Sequence, residues 1–457
     1  MGHLLMVESW VGSMSRLLPR AIAEAGHTFT FLTRDLHHYL RSAPEGADHP
    51  LLGARNVLTA DTNDLPSLLP QVARLHEALG FDGVLSSCDY YLPTVARIAG
   101  HLGLPGPTAD SVTAACRKDE TRRTLEQAGV PGPRFAVCDG FAAASVAAKE
   151  IGYPLVFKPV DLCAGMFVRR VDDERQLADA HRDLDAFPVN ARGQLRSPAV
   201  LLEELLDGPE VSVETVSFDG RTQVVGVTDK SVGGAPGFIE TGHMFPAPLG
   251  ADETAAAVDT ALAALAGLGL DRVVAHTEIK LTARGPRVVE VNPRPAGNRI
   301  TELVRHVTGI DLARACVDLA LGREPDLTTR PTGVASAAIG FLLPPDGEGG
   351  AVGADGADGA DGADGADGAD GADGEVGEGG VLEGYGTATG PDPTAGLEAL
   401  TGVLEVRLAE PGTRVRPVAD NNGYLGHIMA TGDGNGSARE RVAELLDTVR
   451  PRVVAAR

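Results

Sequence analysis

The hydrophobic positions divide the first hundred residues into alternating strand-like and helix-like stretches. Short apolar runs predict strands at 4–9, 28–34 and 82–87. Helical periodicity predicts helices at 15–26 and 91–103. Such alternation is typical of a small, mostly parallel sheet with covering helices. Sites in sheets of this kind lie at the carboxyl ends of the strands, where Ser9, Thr33 and the segment 86–89 fall.

The remaining chain has a different pattern, with longer strand-like runs. Prolines and then a helix at 104–118 predict a linker into a second unit. Strand character recurs at 154–160, 199–206, 210–218 and 222–230, before an Ala-rich helix at 252–269. After residue 330 the runs shorten and end in a helix, which indicates a smaller α+β region. We therefore expect three domains, an α/β domain at 1–115, a central domain at 116–325 and an α+β subdomain at 326–457.

An acidic, Gly-rich segment interrupts the last of these domains. Residues 346–379 contain 11 acidic residues and no Lys or Arg, and residues 354–374 are seven perfect ADG repeats. The repeat has no side chain larger than Asp and no large apolar residue, so it cannot offset the entropy cost of ordering. We interpret it as a flexible surface insertion. A calcium-binding tract is the alternative, although calcium-binding repeats interleave large apolar residues that are missing here.

Charge and composition exclude several classes of function. Removing those 11 charges changes the net charge from −23 to −12, which disfavours nucleic acid as a partner. The chain is 43% apolar and 23% charged, as in globular proteins. The sequence contains no run of about 18 apolar residues, so it predicts no membrane span. The first residues lack a secretion pattern, and we therefore expect a cytoplasmic protein. The five scattered cysteines predict neither a disulfide framework nor a zinc cluster.

The most informative stretch is HTEIKLTARGPRVVEVNPRPAGNR, at 276–299. Folded as an antiparallel hairpin with its turn at Arg284, it places Glu278 directly across from Glu290. Asn292 and His276 then share their face, whereas Ile279, Leu281, Val289 and Val291 point to the other side.

The shared face predicts a metal site. Two facing carboxylates repel each other unless a cation lies between them. Two carboxylates and an amide oxygen form the hard, all-oxygen ligand set that Mg²⁺ uses when substrate phosphates complete its coordination. Arg294 follows immediately, and arginine suits a phosphoryl group or an acyl phosphate. A solvated hairpin face with ordinary surface charge is the competing interpretation.

The hairpin, together with CRKDETRRTLEQAGVPGP, VFKPV, EELLDGPEVSVE and IETGHMFPAP, resembles the ATP-grasp superfamily. Within it, the chain is most similar to carboxylate–amine ligases of the L-amino-acid ligase and dapdiamide-synthetase-like branch. The resemblance covers nearly the whole chain except the insertion. It implies an ATP-grasp fold, with an N-terminal parallel-sheet domain, central ATP-binding subdomains and the C-terminal α+β subdomain.

The resemblance also implies roles for individual residues. Lys118 and Lys158 match the lysines that contact ATP, and Lys230 matches a further phosphate contact. The segment from Glu203 and Glu204 to Leu206 matches the hinge that binds adenine, and Glu210 the ribose-binding acid. The implied Mg²⁺ ligands, with Mn²⁺ as an alternative metal, are Glu278, Glu290 and Asn292. Arg294 matches the arginine that stabilises an acyl phosphate.

Further residues are implied to contact the substrates. Glu240 and His243, in ETGH, match positions that bind the amino acid, and His243 could also take part in catalysis. Asp89 matches an acidic contact from the N-terminal domain, and His276 could donate to phosphate or merely cover the site. Glu214 could be only structural. The implied partners are a small carboxylate and an amine, and the family allows a homodimer.

One segment departs from the family pattern. Where the family has a Gly-rich loop that closes over the phosphates, residues 161–171 read DLCAGMFVRRV, with a single glycine. The Gly- and Pro-rich loop at 232–238 could share that closing role. The departure keeps a non-catalytic ATP-binding module as an alternative to the ligase, and a biotin-carboxylase-like enzyme is a second alternative with the same fold.

Overall fold

The structure is a computed structural model, and it describes residues 1–10, 13–41, 49–233, 238–345, 380–387, 393–415, 421, 423–434 and 436–455. The acidic insertion at 346–379 and the residues 234–237 of the Gly- and Pro-rich loop lie outside this range. None of the described helices is long and apolar enough to cross a membrane. All five cysteines are free, and Cys88 and Cys138 are buried.

The described strands, in chain order, are β1 His3–Val7, β2 Thr28–Thr33, β3 Asn56–Thr59, β4 Gly83–Leu85, β5 Phe135–Asp139, β6 Leu155–Pro159, β7 Arg169–Val171, β8 Ala199–Glu204, β9 Glu210–Phe218, β10 Arg221–Gly233, β11 Ile239–Phe245, β12 Val273–Thr282, β13 Gly285–Asn292, β14 Ser336–Phe341, β15 Gly380–Thr387, β16 Val403–Leu408, β17 Arg414–Val415, β18 Gly426–Gly432 and β19 Val449–Ala455.

The described helices are α1 Ser13–Glu24, α2 Leu36–Arg41, α3 Leu65–Leu79, α4 Leu92–Leu102, α5 Ala109–Cys116, α6 Lys118–Gln127, α7 Phe141–Ile151, α8 Glu174–Asp185, α9 Ala251–Leu268, α10 Ile300–Thr308, α11 Leu312–Ala320, α12 Pro393–Glu398 and α13 Ser437–Asp447. Short 3₁₀ helices occupy Pro50–Gly53 and Asp89–Tyr91.

The chain divides into two compact units, each assembled from three separate segments. Unit 1 contains Met1–Gly132, Ser212–Val227 and Ala251–Arg330. Unit 2 contains Pro133–Val211, Thr228–Gly250 and Pro331–Arg457. The domain boundaries expected at residues 115 and 325 stay predictions.

Unit 1 begins with the parallel sheet that the alternating pattern predicts. Its strand order is β3-β2-β1-β4, and every pairing is parallel. Along β1, successive side chains enter two different cores because strand side chains alternate in direction. Leu4 and Met6 pack with α1 and α11, whereas Leu5 and Val7 pack with α3 and α4. The expected α/β fold of this region is confirmed.

The hairpin β12–β13 forms the edge of the second sheet of unit 1, in the order β13-β12-β9-β10. Apolar residues of α5, α6 and α9 cover one face of the hairpin and form a core with Val288 and Val291. Helix α9 contributes one stripe at helical spacing, Ala257, Ala261, Ala264, Leu265 and Leu268. The opposite face of the hairpin therefore carries the polar residues.

The hairpin corrects one detail of the expected register. The expected pairing holds from His276 to Glu278 and then shifts by one residue, so that Ile279 pairs with Val288. Val289 is the extra residue of a β-bulge, and Val288, which is fully buried, takes the place predicted for Val289 on the core side. The turn consequently lies at 283–284 rather than being centred on Arg284.

The sheets of unit 2 are antiparallel. One has the order β5-β8-β6-β7, another β17-β15-β19, and the third runs from the end of β10 through β11, β14 and β18 to β16. Close backbone contact requires a glycine in β11, because a Cβ on Gly242 would lie 2.6 Å from the carbonyl oxygen of Ile339. The hydrophobic pattern did not predict strands β5, β7, β11, β15, β17 and β19, although it predicted the α+β character of the C-terminal region correctly.

Candidate active site

The hairpin of unit 1 brings its acidic residues face to face as predicted. Glu278 pairs with Glu290, and His276 pairs with Asn292. Lys118, the first residue of α6, places its Nζ 2.8 Å from Oε1 of Glu290. Both carboxylates remain partly exposed, with side-chain exposures of 15% for Glu278 and 28% for Glu290. The lysine compensates one of two carboxylates that would otherwise repel each other.

The ligand set fits Mg²⁺ better than it fits a transition metal. Within the described residues, no group of three or more His, Cys, Asp and Glu side chains is arranged to hold a metal ion. The predicted site instead has two carboxylates and the amide of Asn292, and substrate phosphates would have to supply the remaining oxygens. Mg²⁺ is bound in this manner because it takes few protein ligands when phosphates are present.

Arg294 lies just beyond the hairpin and is held by the N-terminal sheet of the same unit. Its Nε donates to Oδ1 of Asp89 at 2.6 Å, and the indole Nε1 of Trp10 donates to Oδ2 at 3.0 Å. Asp89 therefore joins the end of β4 to the segment after β13. This contact does not exclude the predicted acidic contact with substrate, but it gives Asp89 a second partner in the arginine.

The pKa of the Cys116 thiol is influenced by the charges of both ion pairs, Lys118–Glu290 and Arg294–Asp89. Burial raises its pKa strongly, and the neighbouring carboxylates of Asp89 and Glu290 raise it further. Arg294 and Lys118 act on the same thiol in the opposite direction. Cys116 is therefore close enough to both the Lys118–Glu290 pair and the Arg294–Asp89 pair of unit 1 to be influenced by their charges.

His276 is enclosed between two carboxylates. Its Nδ1 lies 3.0 Å and 3.1 Å from the two oxygens of Glu214, and its Nε2 lies 3.3 Å from Oε1 of Glu278. The hydroxyl of Ser212 donates to Glu214 at 2.7 Å. Glu214 and His276 are 1% and 4% exposed, so neither is a surface residue.

In unit 2, Lys158 and Glu203 form a buried ion pair. The Lys158 Nζ lies 2.8 Å from Oε2 of Glu203. Their strands β6 and β8 are adjacent, and Val156 rather than Lys158 stands directly opposite Glu203, so the pair is diagonal. A lysine that is 8% exposed needs such a partner because an unpaired buried ammonium is costly.

Lys230, Glu240 and His243 form a second charged group in unit 2. The Lys230 Nζ lies 2.9 Å from Glu240 and 3.5 Å from Glu210, and the Nε2 of His243 lies 3.2 Å from Glu240. Burial alone would raise the pKa of the Glu240 carboxyl, but Lys230 and His243 outweigh it and hold that pKa well below its usual range. The carboxylate is therefore ionised at neutral pH.

The predicted hinge residues lie at and just beyond the end of β8. The backbone N–H of Glu204 donates to the carbonyl oxygen of Arg134 at 2.9 Å, and its carboxylate accepts from the same arginine. Its N–H is therefore already bonded to the residue before β5, whereas Leu206 lies beyond the end of β8. The roles of these residues toward adenine remain predictions, as do those of the other site residues.

Two C-terminal residues that the sequence analysis did not single out contact the ETGH strand. Tyr424 donates its hydroxyl to the backbone oxygen of Glu240 at 2.8 Å, and the side-chain oxygen of Asn421 accepts from the backbone N–H of Glu240 at 3.1 Å. Tyr424 also stacks on Phe341, whose ring lies against His243. No local pattern indicated these residues, since the contacts join segments about 180 residues apart.

The atypical loop after Lys158 has an unusual backbone. Ala164, Gly165 and Phe167 adopt positive φ angles of 56°, 71° and 57°. Two of these residues are not glycine, and left-handed conformations of such residues cluster at functional sites. The backbone N–H of Asn421 donates to the carbonyl oxygen of Ala164, so the same asparagine contacts this loop and Glu240.

A buried glutamate at the end of β1 was also missed. Glu8 is 3% exposed, has a φ of 54°, and accepts hydrogen bonds from Thr33, Tyr39 and Thr62 and from the backbone of Arg34. These donors satisfy the carboxylate, which fixes the carboxyl ends of β1 and β2. The alternating pattern correctly indicated this edge of the sheet but not the residue that organises it.

Comparisons with known proteins agree with this arrangement. Residues 20–106 match the ATP-grasp N-terminal domain, residues 151–302 the ATP-grasp domain, and residues 385–454 the L-amino acid ligase C-terminal domain 2. The structure of an L-amino acid ligase from Bacillus licheniformis superimposes with a TM-score of 0.75, at 22% identity, over 99% of this chain and 98% of that one. At that identity the likeness establishes the fold.

Two curated relatives extend the comparison to sequence. The chain is 31% identical to human carnosine synthase 1 over 58% of its own length and 33% of that enzyme. It is 28% identical to the alanine–anticapsin ligase of Bacillus subtilis strain 168, over 57% of this chain and 58% of that enzyme. The chain thus spans about a third of the length of carnosine synthase 1 and somewhat over half of the length of the alanine–anticapsin ligase. It therefore contains ATP-grasp domains and an L-amino acid ligase C-terminal domain.

Proposed function

We propose that the protein is an ATP-dependent carboxylate–amine ligase that joins an amino acid or small carboxylic acid to an amine through an acyl phosphate. The observation that carries the proposal is the pairing of Glu278 with Glu290, beside Asn292 and Lys118. The amino-acid ligases among the relatives, and the ligase domain at 385–454, support amino acids as the substrate class.

Activation of the acid is the first step of the proposed reaction. A carboxylate oxygen attacks the γ-phosphorus of ATP, the bond to the bridging oxygen breaks, and ADP leaves with that electron pair. Glu278, Glu290 and Asn292 would hold Mg²⁺, which neutralises phosphate charge when bound. Lys118 and Lys158 bind phosphate oxygens, and Arg294 stabilises the charge of the acyl phosphate.

Formation of the amide is the second step. The neutral amine attacks the carbonyl carbon of the acyl phosphate, and inorganic phosphate leaves as the C–O bond breaks. Glu240 binds the ammonium group of an amino acid, because its carboxylate is ionised and its side chain, 12% exposed, is more accessible than those of Lys230 and His243. The Nδ1 of His243 is buried and has no hydrogen-bond partner among the described residues, which suits it to accept the proton of the amine.

Phosphate release from Mg·ATP, measured against a matrix of amino acids and small carboxylic acids, tests the proposal. The mass of each product is read in parallel. We expect phosphate and a condensed mass with particular acid and amine pairs, and neither with Glu290→Gln. ATP binding without turnover for any pair, at the level of the Glu290→Gln variant, would instead support the non-catalytic ATP-binding module. Turnover that requires bicarbonate and biotin would support the carboxylase.

A further inference from the structure

We propose that Glu214 and His276 are positioning residues that fix the Glu278 carboxylate in its orientation as a metal ligand. The proposal rests on the proposed function, because it assumes that Glu278 binds the metal. It assigns to His276 a task other than the substrate contact that the sequence predicts, and it gives Glu214 a task that the sequence left open.

Ser212, Glu214, His276 and Glu278 form a continuous chain of polar contacts, which we call the relay. Ser212 donates to Glu214 at 2.7 Å, Nδ1 of His276 lies 3.0 Å from the same Glu214 oxygen, and Nε2 lies 3.3 Å from Glu278. Each ring nitrogen faces a carboxylate, so neither points toward open solvent. The imidazole ring is therefore held from both ends.

Burial decreases along the relay from Ser212 to Glu278. Ser212, Glu214 and His276 are 0%, 1% and 4% exposed, whereas the Glu278 side chain is 15% exposed. Only the last member can reach a ligand in solution. A buried carboxylate is costly to maintain unless it is hydrogen-bonded. Here it accepts from a serine and faces a histidine whose other nitrogen lies against the metal-binding carboxylate.

Two adjacent strands hold the four residues of the relay. Ser212 and Glu214 lie on β9, and His276 and Glu278 lie on β12, its neighbour in the sheet. Residues two apart on a strand share a face, so the four side chains lie on one face of two adjacent strands. A metal-binding side chain that is already oriented loses less conformational entropy when the metal binds. Hydrogen bonds behind metal ligands typically contribute 10–100-fold in affinity.

Binding of Mn²⁺ in the presence of saturating ADP, followed by the paramagnetic resonance signal of free Mn²⁺, tests the relay. We expect Glu214→Gln and His276→Gln to weaken Mn²⁺ binding roughly tenfold or more. The affinity for ADP without metal should stay unchanged, which a general loss of structure would not allow. Ser212→Ala should weaken Mn²⁺ binding less, in the same direction.

The matched control is His181→Gln. His181 is buried like His276 and pairs with Asp185 through Nδ1 at 2.9 Å, but it lies on α8, outside the predicted site. Its variant should bind Mn²⁺ as the wild type does. Mn²⁺ dissociation constants of Glu214→Gln and His276→Gln within about twofold of the wild type would overturn the proposal. If either variant does not fold, Ser212→Ala and the remaining variant decide the test.

Glu290→Gln separates this proposal from the proposed function. If Glu290→Gln abolishes Mn²⁺ binding while the relay variants bind normally, only the relay is wrong. If the wild type and Glu290→Gln bind Mn²⁺ equally, the hairpin is not the metal site, and the relay proposal is overturned with it.

Discussion

The charged residues assigned to ligand binding are paired with each other within each unit. Unit 1 pairs Lys118 with Glu290 and Arg294 with Asp89, and unit 2 pairs Lys158 with Glu203 and Lys230 with Glu240. Partly buried charges need such partners because desolvation would otherwise cost more than the fold gains elsewhere. A phosphate or an ammonium group that binds here therefore exchanges partners with an existing ion pair instead of meeting a lone charge.

Asp89 tests the importance of that pairing for Arg294. Asp89→Asn keeps the shape of the side chain and an acceptor for Trp10 but removes the charge that holds the guanidinium. We expect kcat for phosphate release to fall roughly tenfold, less than the 10²–10³-fold typical of removing a charge-stabilising donor itself, such as by Arg294→Met. Steady-state kinetics measure both variants.

Trp10→Phe is the control for this prediction, since it removes the second hydrogen bond to Asp89 and leaves the ion pair intact. It should lower kcat less than Asp89→Asn. An unchanged kcat in Asp89→Asn would show that Arg294 does not depend on this carboxylate.

Glu240 should make the stability of the protein sensitive to acid. Its pKa in the folded protein lies well below the value in an unfolded chain, about 4.3. The stabilisation is therefore complete above that pH and is lost as the pH falls toward the folded pKa. Urea unfolding between pH 3 and 7 should show that the stability difference between wild type and Glu240→Gln shrinks below about pH 4.

Glu24→Gln, at an exposed glutamate, is the control for this prediction. Its stability curve should stay parallel to that of the wild type through the same pH range. A difference between wild type and Glu240→Gln that does not change with pH would contradict the lowered pKa.

The residue scale also shows where sequence is sufficient. The facing of Glu278 and Glu290 follows from alternation in one hairpin, and the structure confirms it. Asp89 is bonded to Trp10, which is 79 residues away in sequence. His276 is bonded to Glu214, which is 62 residues away. Local periodicity carries no information on such pairs, because they depend on which strands become neighbours.

At the scale of elements, the β-bulge in β13 determines which side chains reach the core. It turns Val288 inward and leaves Glu290 on the polar face opposite Glu278. Arg122, on α6 and 4% exposed, donates to the carbonyl oxygens of Val288 and Val289 at 3.0 Å and 2.6 Å. Because β13 is the edge strand of its sheet, these two bonds satisfy backbone acceptors at the bulge.

Replacing Arg122 should therefore destabilise unit 1. Arg122→Met leaves buried carbonyl oxygens unsatisfied, and we expect the free energy of unfolding to fall by about 2 kcal/mol. Within the described part of the chain, the neighbouring Arg123 pairs only with Asp119 and Glu120. Its side chain is 44% exposed. Arg123→Met should change stability by less than about 0.5 kcal/mol. Denaturant unfolding measures both, and equal losses would contradict a role for Arg122 at the bulge.

The bulge also shows why sequence could not set the register fully. Both Val288 and Val289 are apolar, so alternation alone allows either to face the core. The choice depends on Arg122 and on the packing of α6, which pattern analysis does not include. The strands and helices themselves were easier to predict, because long periodic runs such as those of β9 and α9 carry their own signal.

At the scale of the whole molecule, the chain contains an acidic insertion whose composition differs from that of the rest of the chain. Residues 354–374 are seven ADG repeats that no catalytic proposal uses. Eleven of the acidic residues behind the net charge of −23 lie in the segment 346–379, and only the remaining −12 bears on partners, where it disfavours nucleic acid. The composition predicts a tolerant connection between β14 and β15.

Deleting residues 354–374 should therefore leave both activity and stability nearly unchanged. A shorter loop changes the entropy of closure by roughly 1 kcal/mol or less, in the stabilising direction. Thermal unfolding and phosphate release of the deletion variant measure the effect. Loss of turnover with an intact fold would show that the insertion takes part in function.

The central claim is that the substrate carboxylate is activated as an acyl phosphate. A mixture of amino acids labelled with ¹⁸O in the carboxylate, incubated with the protein and Mg·ATP, tests it most directly by the mass of the released phosphate. The proposed mechanism predicts that one labelled oxygen passes to each inorganic phosphate that accompanies a condensed product. Label appearing in AMP, or unlabelled phosphate released alongside the product, would contradict it.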